Sequence, residues 1–124
     1  MVACLFIRTR EAQDLDALSK TISTLLRVEI NEIRHSENAP GGTYVKGEAL
    51  GLRITLSEAD DSDFYDYDFE ICFRPQIAVA GRDCLDGLAE IVARHLARHG
   101  MKVARPLEFG KAGTPRVEYG DNGS

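Results

Sequence analysis

The chain reads as an α+β domain: an antiparallel or mixed sheet of about five strands, in the order β-α-β-β-β-α-β, with two helices on one face. Three observations predict it. Residues 11–27 and 83–99 carry apolar residues at 3.6-residue spacing. Short runs of β-forming residues lie before, between and after those two stretches. One of the runs, residues 52–57, alternates with a clean period of two.

In chain order, Ala3–Arg8 (ACLFIR) reads as a first strand, central in the sheet because both of its faces are largely apolar. The helix over 11–27 puts Leu15, Leu18, Ile22, Leu25 and Leu26 on one face. Glu11, Asp14 and Asp16 fall in its early turns, where acids complement the helix dipole. Ile30 and Ile33 can extend that helix or begin a short strand before residues 38–42 (NAPGG) break the chain. Strands over 43–48 and 52–57 follow, joined around Ala49, Leu50 and Gly51, with Leu52, Ile54 and Leu56 inward and Arg53 and Thr55 outward. Residues 58–65 read as an exposed acidic loop. Residues 66–74 resume a strand, with Tyr67, Phe69, Ile71 and Phe73 on one side and Asp68, Glu70, Cys72 and Arg74 on the other. The helix over 83–99 buries Leu85, Leu88, Ala89, Val92 and Leu96 and is closed by Gly100. Residues 101–107 form the last strand. The reading is thus one domain over residues 1–110 with a loosely held tail over 111–124, in which Arg116–Tyr119 can add an edge strand.

The 124 residues suffice for a core without metal or disulfide staples. The 15 basic and 20 acidic residues give a net charge of -5, and seven of the acids lie in residues 57–70 (SEADDSDFYDYDFE). Without that stretch the balance is 15 against 13, or +2. The protein is therefore near neutral apart from one concentrated anionic patch, interleaved with Phe64, Tyr65, Tyr67 and Phe69. Solvating acidic tails are poor in aromatic residues, so this stretch reads as folded surface. An acidic balance argues against a nucleic-acid partner, which needs clustered Lys and Arg, and points to a basic one. No run approaches the length of a membrane span, and the apolar start is too short for a signal peptide. Cys4, Cys72 and Cys84 have no CxxC or zinc spacing and read as reduced thiols of a cytoplasmic protein.

Tests for catalysis and metal binding are negative. Starting an EF-hand loop at Asp61 or at Asp66 puts Asp66 or Ile71 where its glycine must stand. His95 and His99 share a helix face, but the sequence HLARH lacks the glutamate of HExxH, and both fit a role at the helix C-terminus. Cys84 at a helix start has no partner base in sequence, and no GxSxG, P-loop or GxGxxG pattern occurs. The expectation is a non-enzyme with no cofactor and no metal.

Residues 41–56 (GGTYVKGEALGLRITL), followed by residues 66–69 (DYDF), resemble segments of small bacterial immunity proteins of polymorphic-toxin systems, including contact-dependent growth inhibition. In those segments a tyrosine-containing strand leads to GE-x-LG-L and an acidic turn. The resemblance implies a cytoplasmic, non-enzymatic protein that binds one cognate toxin domain, commonly a nuclease with a basic cleft.

The residues themselves lead to the same expectation. Glu58, Asp60, Asp61, Asp63, Tyr65, Asp66, Asp68 and Glu70 would cover a cationic cleft on a toxin domain, without nucleic acid or membrane, the protein itself being a monomer. Two other readings are an α+β interaction module or homodimer joined through a sheet edge, and a metal-dependent hydrolase using the acidic cluster.

Overall fold

The structure, a computed structural model, describes residues 2–10, 14–76 and 82–120. Within them run β1 (Ala3–Arg8), α1 (Leu15–Leu26), β2 (Ile30–His35), β3 (Thr43–Ala49), β4 (Leu52–Glu58), β5 (Phe69–Pro75), α2 (Arg82–Arg98), β6 (Lys102–Pro106) and β7 (Arg116–Tyr119). The strands form one sheet in the order β2-β3-β4-β5-β1-β6-β7, with every neighbouring pair antiparallel.

The sheet has seven strands where about five were expected, and the two additions are its edges. In β2 only Ile30 is buried, and β7 has no buried residue. An edge strand has one neighbour and needs no apolar face, so periodicity alone does not reveal it. Ser23 on α1 anchors the start of β2 by accepting from the Ile30 backbone N–H at 3.0 Å. The edge strand foreseen within the tail is β7, while residues 121–124 lie outside the described ones.

β1 is central, between β5 and β6, and all its residues from Ala3 to Ile7 are buried. Ala3, Leu5 and Ile7 join Leu56, Ile71, Phe73 and Val103 in the main core, which both helices cover with Leu18, Ile22, Leu85, Val92 and Leu96. Truncating one of these side chains to alanine costs about 2–5 kcal/mol. Cys4 and Phe6 point to the opposite face.

Asp14 caps α1 from outside, its Oδ1 accepting from the Ala17 N–H at 2.8 Å, so it precedes the first turn rather than lying within it. The expected helix start at Glu11 falls outside the described residues. Just beyond α2, Gly100 closes the helix: its φ of 89° allows the Gly100 N–H to bond Ala97 O at 3.1 Å and the Met101 N–H to bond Leu96 O at 3.2 Å. His95 binds the two helices together, its Nε2 lying 2.8 Å from Leu25 O. No helix among the described residues is long and apolar enough to cross a membrane.

Candidate functional site

The acidic segment is built around aromatic residues that turn back onto the sheet. β4 ends at Glu58 and β5 begins at Phe69, and the chain between them makes a 3₁₀ turn at Ser62–Phe64. Asp61 caps that turn, its Oδ1 accepting from the Asp63 N–H at 2.9 Å. The segment closes on itself through Ala59 N–H to Asp68 O at 2.9 Å, and docks on β1 through Asp68 N–H to Ile7 O at 3.1 Å.

Phe64 and Tyr67 are buried with Phe6 and Ala104 in a small second core on the outer sheet face. The Phe64 ring stacks on Phe6 at 4.0 Å between centroids and meets Tyr67 edge-on at 6.2 Å. This corrects two expectations. Residues 58–65 are not a free loop but a cover over the β1–β6 part of the sheet. Tyr67 does not share a face with Phe69, because β5 starts two residues after it and Tyr67 lies on the outer side.

β7 locks the cover in place. The Arg116 guanidinium sits 4.5 Å from the Phe64 ring centroid, donates from Nη2 to Asp63 O at 2.7 Å and pairs with Asp66 at 3.8 Å. The Gly113 N–H donates to Asp63 Oδ2 at 3.0 Å, and the Tyr67 hydroxyl donates to Glu118 at 3.2 Å. Burial, reinforced by Glu118, pushes the Tyr67 phenol well above its ordinary value. Lys102 Nζ lies over the Tyr67 ring, 5.4 Å from its centroid.

The eight candidate residues therefore divide. Glu58, Asp60 and Asp68 are exposed, and Tyr65 is 87% exposed at the tip. Asp61, Asp63 and Asp66 are half-buried and hold the turn and Arg116. Glu70 stands on the sheet beneath them, half-buried, opposite Phe6. Burial, with help from nearby Asp61 and against Arg74, pushes its carboxyl up to about 7. Asp61 and Asp63 accept local hydrogen bonds and Asp66 pairs with Arg116, so these three are already engaged within the segment. Further along the outer face, Arg74 Nη1 donates to Thr55 at 3.5 Å, and Lys46 pairs with Glu48 at 3.3 Å and Glu32 at 3.8 Å. The outer face thus grades from an acidic cover to a mixed-charge surface.

Sequence reasoning missed Arg116, which organises the site from a different part of the chain. It also missed a covalent link. Cys4 and Cys72, expected as reduced thiols, are direct partners in the β1–β5 register and are joined as a disulfide, their Cα atoms 4.1 Å apart. Only Cys84 is free and exposed among the described cysteines. One signal was available: Ala3–Arg8 is apolar on both faces, and helices on one side leave the other to be covered by something else.

Comparison of the chain with known protein families, with curated proteins and with solved structures gives no match.

Proposed function

We propose that this protein is an immunity-type inhibitor that binds a cognate toxin domain, with a basic nuclease as the preferred target class, and works in the cytoplasm without catalysis. One observation carries the reading. The acidic segment is held on the sheet by its own buried aromatics, while Glu58, Asp60, Asp68 and Tyr65 are left exposed. A pre-ordered anionic surface loses little conformational entropy on binding. Its charge steers a cationic partner at up to about 10⁸–10⁹ M⁻¹s⁻¹ at low salt, and an exposed tyrosine supplies an aromatic anchor.

The structure also refines the test. Substituting Asp63 or Asp66 would loosen the cover, so a lost interaction there would mix folding with recognition. The clean variants are Glu58→Gln, Asp60→Asn and Asp68→Asn together, and Tyr65→Ala alone. Binding to a toxin-like domain, sought first among the products of neighbouring genes and followed by biolayer interferometry at two salt concentrations, should show slower association for the triple variant and faster dissociation for Tyr65→Ala. Unchanged kinetics in both variants would remove this surface from the interface. Failure of the unaltered protein to bind would remove the immunity reading itself.

A second reading rests on β2, an open sheet edge on which Ile33 is 57% exposed. Pairing of two such edges would make a homodimer. Light scattering across a concentration series separates the two, since the inhibitor is expected as a monomer.

A further inference from the structure

We propose that Cys4, Cys72 and Glu70 form a second site that, once the disulfide is reduced, binds one soft divalent cation of the Zn²⁺ class. The sulfur and carboxylate ligand atoms of the three residues all lie within 4.8 Å of one another. The register explains why. Cys4 faces Cys72 and Phe6 faces Glu70 across β1 and β5, so the three side chains project from one face of two adjacent central strands. Rigid neighbouring strands fix ligand positions better than a loop does.

The donor set selects the ion. Two thiolates and one carboxylate suit Zn²⁺ and disfavour Mg²⁺ and Ca²⁺, which take all-oxygen shells. Three protein ligands leave the fourth tetrahedral position to water. Among the described residues no hydrogen bond or ion pair reaches the Glu70 carboxylate, so its acceptor capacity is open to a cation. Cys4 and Cys72 are only 2% and 6% exposed, and Glu70 beside them is half-buried.

The disulfide and the metal exclude each other. Two Zn–S bonds of about 2.3 Å at a tetrahedral angle hold the sulfurs about 3.8 Å apart, which a covalent S–S bond forbids. Reduction by a phosphine cleaves that bond, delivers two thiols and converts the phosphine, with the oxygen of one water, to its oxide. Cation binding then releases the two thiol protons to solvent. In a reducing compartment the dithiol is the standing form, so the inhibitor proposed above would work with this site open to metal. The site does not depend on that proposal.

The test uses the full chain, reduced with a phosphine or left oxidised, titrated anaerobically with Co²⁺ as probe and then with Zn²⁺ as competitor. The reduced protein should take up one Co²⁺ with a thiolate-to-cobalt charge-transfer band that Zn²⁺ abolishes, and the oxidised protein should show none. Glu70→Gln should weaken binding about ten-fold or more, and Cys4→Ser or Cys72→Ser should remove the band. No band in reduced protein that keeps its circular dichroism overturns the site. Equal affinity in Glu70→Gln overturns the part given to Glu70. The comparison of oxidised with reduced protein needs no substitution and so stands even if a cysteine variant fails to fold.

Discussion

Phe64 lies flat on Phe6, the two rings 4.0 Å apart and 7° from parallel. Phe6 belongs to the central strand and Phe64 to the acidic segment, so this contact turns a stretch of charged chain into part of the folded body. Phe64→Ala should therefore destabilise the protein by about 3 kcal/mol, through lost burial and the cavity left over Phe6. Urea unfolding would show a lower midpoint at an unchanged slope. Hydrogen exchange should speed at the Ala59 and Tyr67 amides. A loss under about 1 kcal/mol would mean that the segment is not packed as described.

Arg116 acts on the same cover from the far edge of the sheet, through the Phe64 ring, Asp63 O and Asp66. Arg116→Lys keeps the charge but loses the planar fork that reaches ring and carbonyl together. The expected cost is about 1 kcal/mol, because the ion-pair part is partly exposed and small. The local readout is more telling: exchange at the Gly113 and Phe64 amides should accelerate in Lys and Ala variants alike. If Lys restores protection, charge alone holds the cover.

The inner layer of this fold follows from sequence periodicity. Leu52, Ile54 and Leu56 alternate, Leu18 and Ile22 share a helix face, and each is buried where those patterns place it. The outer face does not follow, because its order depends on residues distant in sequence. Nothing local to Phe64 or Tyr67 names Phe6 or Arg116 as a partner. The same holds for Cys4 and Cys72, which meet only through the β1–β5 register. The acids were visible as a patch, but which of them are exposed and which hold the turn depends on the docking of that turn.

The β3–β4 turn carries its own strain. Leu50 has φ 56° and is 88% exposed, and Gly51 follows with φ 72°. Two consecutive left-handed residues make the hairpin turn that favours Asn-Gly, and leucine is costly in the first position. Leu50→Asn should stabilise the protein by about 1 kcal/mol, seen as a higher thermal midpoint with unchanged circular dichroism. A loss of stability would show that Leu50 makes a contact worth more than the backbone strain.

Glu70 gives the protein a pH dependence of defined sign. Its carboxyl titrates at about 7 in the folded chain, against 4.5 as the ordinary value. The folded state therefore holds the proton more tightly than the unfolded state does. Between those two values stability falls as pH rises, because folding comes to require a charged carboxylate beside Asp61 and away from water. Below 4.5 both states are protonated and the residue contributes nothing; above 7 the full cost applies, of order 2 kcal/mol after allowance for partial solvent access. Arg74 offsets part of that cost, so Arg74→Ala should carry the fall in stability on to higher pH and increase its total. Glu70→Gln should flatten it, leaving stability at low pH nearly unchanged and raising it above pH 7. The measurement is urea unfolding across the pH range in the presence of a chelator, with the disulfide intact so that no cation intervenes. A Glu70→Gln protein that keeps the original slope would place the titrating group elsewhere.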